Sequence, residues 1–193
     1  SKKDPLQRRH ELLSKFAPMF LNTISKDYSS ILTENLGCQF IAEVLINDEL
    51  YAQLNEKDQE KYQQVLNNIL TTFKGDITEE EHPIHRAFST RLLKALIQGG
   101  KWNNKEKKVI PLKNVQGLGV PFAEKLYDEI IDSSNLLEWI NNADSSFTIV
   151  ALYETLKDQK EGKPFLKDLR GVQSKITVDE SNKGSQLLAK LLK

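Results

Sequence analysis

The chemistry this sequence can do lies in cations set at helical spacing. Arg91 and Lys94 stand three residues apart, one helical turn, on one face with Thr90. Lys101, Lys105, Lys107 and Lys108 crowd around Trp102, and Lys2, Lys3, Arg8 and Arg9 form a patch near the start. Lysine and arginine neutralise phosphates and release the counterions condensed on a nucleic acid, an attraction indifferent to base sequence. An exposed tryptophan among lysines adds a surface on which a base can stack. The other reading of Trp102 is a loop anchor packed onto the fold, and that of the lysines is solubility. Trp139, in "LLEWI", reads as core.

Other constellations carry less. His82 and His85 are three apart, but no cysteine lies near, and Pro83 between them marks a helix start, where the acids Glu79, Glu80 and Glu81 suit the helix dipole. Cys38 would need a histidine base to act as a nucleophile; among apolar neighbours it reads as a small packed residue. "GLG" at 117–119 lacks the full spacing and preceding strand of a phosphate loop. The sequence therefore predicts no catalytic residues, no metal site and no cofactor.

Composition sets the frame. The chain has 193 residues, 28% charged and 39% hydrophobic, which suits a water-soluble helical fold with a real core. No apolar run approaches the roughly 18 residues of a membrane span. One cysteine excludes an internal disulfide and fits a reducing compartment. The sequence begins at Ser1 with Met19 as its single methionine, and so reads as a piece of a longer protein. Net charge is zero, yet unevenly spread. Residues 34–81 hold eleven acids against three lysines, and residues 101–108 hold four lysines against one acid. The acidic middle suits a convex side or a dock for a basic protein.

The elements that must position the cations are helical nearly throughout. Asp4-Pro5-Leu6-Gln7 reads as a cap, a first-turn proline and a capping-box glutamine. Tyr62, Val65, Leu66, Ile69, Leu70 and Phe73 make one apolar stripe at i, i+3, i+4, i+7, i+8 and i+11. "TEEE" at 78–81 predicts another capping box. Pro121 opens a helix carrying Ala123, Leu126, Tyr127, Ile130 and Ile131, and residues 179–192 predict the last helix. Residues 99–119 read as a long loop or insertion; "KVIPL" suits an extended segment, though Pro111 opposes a central strand. Four windows share one pattern: "LGCQFIAEVL", "FSTRLLKALI", "SSFTIVALYE" and "KGSQLLAKLL". Aligned on Gly37, Ser89, Ser146 and Gly184, each starts with a small residue and continues with apolar pairs, at spacings of 52, 57 and 38 residues. Units that cannot bury an apolar face alone bury it by stacking, which predicts an all-α fold, an α-solenoid of nine to twelve helices in one domain over 1–193.

These windows resemble the second helix of Pumilio (Puf) repeats, themselves armadillo-type. "KKDPLQRRHELLSKFAPMFL", "EHPIH" and "SNKGSQLLAKLL", in that order, resemble the C-terminal repeats of the nucleolar Puf-A-type family, its fungal branch above all, over nearly the whole chain. The resemblance implies an L-shaped array of Puf-like repeats that binds RNA and also DNA with little base selectivity and acts in large ribosomal subunit assembly. It implies RNA partners (pre-rRNA, with mRNA as an alternative), double-stranded nucleic acid, and ribosomal or assembly proteins. It also implies a nucleolar and nuclear place, with the cytoplasm as a further one, and no enzymatic activity. The Puf base-facing positions fall on Cys38, Gln39 and Ala42; Thr90, Arg91 and Lys94; Phe147, Thr148 and Ala151; and Ser185, Gln186 and Ala189. Three alanines offer no polar atom at the third contact, and Lys94 suits phosphate better than a base edge. Backbone binding remains, with Gln39, Thr90, Arg91 and Lys94 facing the strand. The alternatives are a protein-docking solenoid and an mRNA-binding translational repressor module.

Overall fold

The computed structural model describes residues 4–193; Lys2 and Lys3 of the expected N-terminal patch lie outside the described residues. The chain is mostly helical, as its periodicity predicts. α1 (Pro5–Ile31) starts where the Asp4 carboxylate accepts the Leu6 amide at 3.1 Å. It buries Ala17, Leu21 and Ile24 against α4 (Glu56–Thr71). The α4 stripe is buried whole, Phe73 included, and the Tyr62 hydroxyl donates to the Leu45 carbonyl at 2.7 Å. Between them run α2 (Asn35–Leu45) and the single turn α3 (Asp48–Tyr51).

Two helix starts differ from expectation because another cap wins. Residues 78–81 form a turn: the Asp76 carboxylate takes the Thr78 amide at 2.9 Å, and the chain passes into one 3-10 turn at Pro83–His85. At the C-terminus the last helix begins at Lys183 rather than residue 179. Asn182 is buried, donates to the Ile140 carbonyl at 3.0 Å and accepts the Ser185 amide at 3.1 Å, so it caps the helix. Asp179 instead closes a turn on Ser181. The apolar stripe after Pro121 is buried as expected, but α6 (Val120–Lys125) widens into a π-turn at Leu126–Ile130.

The insertion read at 99–119 takes the form of an antiparallel hairpin, β1 (Gly100–Asn103) with β2 (Lys108–Pro111). Pro111 is tolerated because it ends an edge strand, opposite Gly100. The Asn103 side chain accepts the Lys105 and Glu106 amides at 2.9 Å each, and Lys107 takes a left-handed φ of 56° to close the turn. The loop after the hairpin is tied down by one carboxylate: Asp48 accepts the amides of Lys113 (2.6 Å), Asn114 (2.8 Å) and Val115 (3.1 Å).

The four repeat windows are α2, α5 (Ala87–Gln98), α8 (Ser146–Leu156) and α10 (Lys183–Leu191), with α7 (Leu136–Asn141) and α9 (Lys163–Val172) between the later ones. They stand in a rank, α2 against α5, α5 against α8 and α8 against α10. Small residues at the starts of α2 and α10 permit close approach, to the end of α1 and to α8 respectively. A Cβ on Gly37 would overlap the Ile31 carbonyl oxygen, and one on Gly184 would overlap the Ser146 side chain. Cys38 on α2 and Ser89 on α5 both donate to the Leu32 carbonyl, at 3.4 and 3.5 Å. Buried apolar residues from Ala17 to Leu188 form one contiguous cluster beneath the rank.

Two outcomes follow. Gly37→Ala must displace backbone, so it should cost about 1–3 kcal/mol in denaturant unfolding; an unchanged midpoint would contradict the close approach. Burial alone would raise the Asp48 pKa, but the three amides and the Lys113 charge outweigh it and hold the carboxyl below its ordinary value. Its stabilisation is thus present above the ordinary carboxylate pKa and lost as pH falls through the depressed one. Asp48→Ala should remove about 1–2 kcal/mol, flatten the acid limb of the stability profile and raise amide exchange at 113–115.

Candidate nucleic-acid interface

Of the cations expected to meet phosphate, the exposed side of the rank brings together Arg91, Lys94 and, at the base of the hairpin, Lys101. α5 presents Thr90, Arg91 and Lys94 along one edge because its opposite face, Leu92, Leu93, Leu96 and Ile97, is in the core. Arg91 and Lys94 are exposed and Thr90 is half-buried. Across from them α8 offers Phe147, 45% exposed despite its size. Between the two helices lies a groove of about 340 Å³, lined by Thr90, Arg91 and Lys94 on one wall and by Asp144, Phe147 and Thr148 on the other. On the other side of α5 a shallower groove of about 100 Å³ separates it from α2. There the Asn35 side-chain oxygen accepts from both Gln39 (3.4 Å) and Arg91 (3.5 Å), so Gln39 and Arg91 meet across the seam. Ala42, on the floor of that groove, also borders a recess with Glu43 and Lys101 at the base of the hairpin. The surface from Phe147 to Lys101 is therefore continuous.

The hairpin carries Lys101, Lys105, Lys107, Lys108 and Trp102, all exposed. Trp102 is 59% exposed, and its indole N–H donates to the Asn104 side chain at 3.0 Å. It is not the packed loop anchor of the other reading; Trp139, 1% exposed, is core as expected. The N-terminal patch is not gathered in. Arg8 and Arg9 are exposed on α1, no α1 residue lines either rank groove, and the Arg9 guanidinium is paired with Glu49 at 2.6 Å.

Four positions carried over as base-facing are buried: Cys38, Thr148, Ala151 and Ser185. α8 packs against α5, α6, α7 and α10, which leaves it little open edge, and the Ser185 hydroxyl is spent on the Thr177 and Asn182 carbonyls at 3.0 and 2.9 Å. Burial pushes the Cys38 thiol up, which suits packing rather than attack. Sequence reasoning placed Phe147 at a base-facing position but left it out of the phosphate-binding set, and it did not single out Asn35. The signal for Phe147 was a large apolar side chain directly after a small-residue helix start, outside the apolar pair.

The two histidines also resolve. His82 is buried, with Nε2 at 2.9 Å from the Phe73 carbonyl and Nδ1 accepting the Ile84 amide at 3.2 Å. His85 has Nδ1 at 2.7 Å from an Asp144 carboxylate oxygen and Nε2 at 2.8 Å from the Ile77 carbonyl. All four ring nitrogens are engaged, and no cluster of three or more metal-ligating side chains occurs among the described residues.

Comparison with known proteins adds identity at this point. The model of the CPL (NUC119) domain matches residues 1–107, more than half of the chain. Over all 193 residues the chain is 99% identical to a Saccharomyces cerevisiae protein described as "Pumilio homology domain family member 6", of which it spans 29%. Over 191 residues it is 32% identical to the Schizosaccharomyces pombe protein of the same description, spanning 27% of it. The chain thus covers less than a third of the length of these relatives. No solved structure matches it.

The two tryptophans should separate by fluorescence. With Trp102→Phe the remaining emission should be blue-shifted and shielded from iodide. With Trp139 as the silent residue, the signal should be red-shifted and readily quenched. Equal quenching of both would contradict the exposed hairpin.

Proposed function

The chain belongs to the CPL (NUC119) domain family and matches Pumilio-homology proteins of the Puf-A type, and from that premise we propose that it is a non-enzymatic RNA-binding module, a stretch of Puf-like α-solenoid that grips the sugar–phosphate backbone. The observation that carries this reading is the edge of α5. Arg91 lines both adjoining grooves and Lys94 the larger one, with Thr90 and Gln39 beside them and the lysine hairpin at the end of the same surface. Lysine and arginine in this setting serve as phosphate contacts. Phe147 and Trp102 add exposed rings for stacking without base choice. Burial of Cys38, Thr148, Ala151 and Ser185 removes the side chains a one-base-per-repeat code would need.

In the whole protein this module would extend a longer repeat array. That protein would act in the nucleus and nucleolus on pre-rRNA during large ribosomal subunit biogenesis, with double-stranded segments among its targets. A second reading has its own observation. Glu49, Glu56, Glu60, Glu79, Glu80 and Glu81 are exposed on α3, α4 and the following turn, where a basic ribosomal or assembly protein would dock.

Salt dependence separates the two. At low salt the chain should bind structured RNA of arbitrary sequence, with log affinity falling linearly in log salt. Arg91→Glu with Lys94→Glu should cut that affinity at least tenfold and reduce the slope by about 1.4–1.8, the share of two phosphate contacts. An unaltered slope would remove these residues from the interface. No RNA affinity at low salt would leave the protein dock.

A further inference from the structure

We propose that His85 is a pH-responsive latch between the turn that precedes α5 and the turn that precedes α8, and that its imidazolium holds shut the base of the groove lined by Arg91 and Lys94. The geometry requires two donors on one ring. Nδ1 faces the Asp144 carboxylate at 2.7 Å and Nε2 faces the Ile77 carbonyl at 2.8 Å. A neutral imidazole has one N–H, so it can satisfy one acceptor and must set its lone pair against the other. Protonated, it satisfies both. Three residues earlier His82 faces one acceptor and one donor, the Phe73 carbonyl and the Ile84 amide, an arrangement the neutral ring meets in full. The two hydrogen-bond patterns thus favour a charged ring at His85 and a neutral one at His82.

The latch joins three separated stretches. Ile77 sits in the turn after α4, His85 in the 3-10 turn leading to α5, and Asp144 on the approach to α8. His85 and Asp144 both line the groove, so their separation would widen it. The charged groups around the ring come from each neighbouring element. Asp144 attracts it from the α8 side. Asp76, whose carboxylate is occupied by the Thr78 amide and hydroxyl, lies on the turn before it, where the Glu79 backbone also acts on the ring. Arg91 and Lys94 line the same groove, and burial with the nearby Arg86 and His85 charges holds His82 below the ordinary imidazole pKa. The hydrogen bond that the ring donates to Asp144 outweighs partial burial, so His85 is held above the ordinary imidazole pKa. A raised histidine pKa gives stabilisation that is fully present below the unfolded value, about 6.5, and lost as pH rises through the folded one. The latch is closed in mildly acidic solution and opens on the alkaline side, whatever ligand occupies the groove.

The test follows the His85 ring by NMR in the native chain, together with amide protection corrected for intrinsic exchange. The His85 midpoint should lie above that of the same residue in the urea-unfolded chain and fall in Asp144→Asn. Protection at 77–86 and 142–148 should drop together, at least severalfold, as pH passes the folded midpoint. His85→Gln, which cannot be protonated, should show low protection in both stretches at every pH. A His85 midpoint at or below the unfolded value overturns the latch. So does a midpoint indifferent to Asp144→Asn, or protection lost in one stretch alone.

Discussion

The surface of the rank depends on how closely its helix starts pack against their neighbours. Gly37 lies against the Ile31 carbonyl and Gly184 against Ser146, and the Leu32 carbonyl receives both Cys38 and Ser89. Small residues at these points let α2 close onto the end of α1 and α10 onto α8, and the ranked helices share one apolar cluster. Bulk there would force the backbones apart, and helices packed as tightly as organic crystals transmit such shifts instead of absorbing them. The rank decides which residues face outward. Arg91 and Lys94 point out because Leu92, Leu93 and Leu96 must point in.

That outward edge gives positive charge to a chain whose total charge is zero. The acids concentrate on α3, α4 and the turn after it, while the α5 edge and the hairpin present cations. Where an acid does enter the groove, as Asp144, it is engaged by His85. Segregation of this kind lets a neutral protein carry a locally positive field. The hairpin depends on a further carboxylate. Asp48 anchors the segment behind it through three amides, so one α3 side chain helps fix where Lys101 and Trp102 stand.

Much of this was legible in the sequence, and the reasons are particular. The stripe from Tyr62 to Phe73 has helical period and is buried to its last residue, because periodicity reports burial directly. The Asp4-Pro5 start is local chemistry and was readable as such. The four windows were readable because close packing leaves a small residue at a fixed place. Competition between caps was not legible: Asn182 displaces Asp179 through a hydrogen bond to Ile140, forty-two residues away in the chain. The strand pairing within the insertion at 99–119 was not legible: "KVIPL" suits an extended segment, but Pro111 opposes a central strand and nothing local names its partner. Exposure within the windows also escaped the sequence. Phe147 is open and Thr148 closed only because α6, α7 and α10 crowd the other sides of α8.

The central claim, that the ranked edge of α5 with the hairpin is the surface that meets a nucleic acid, is most directly tested by mapping contact residue by residue. A titration of the isotopically labelled chain with a short structured RNA of arbitrary sequence, at low salt and followed by amide chemical shifts, does this in one experiment. The account predicts shifts gathered at Gln39, at Thr90 to Lys94, at Phe147 and along residues 101–108, with α4 silent. Shifts gathered on α4 and the acidic turn, or spread without pattern over the molecule, would contradict it.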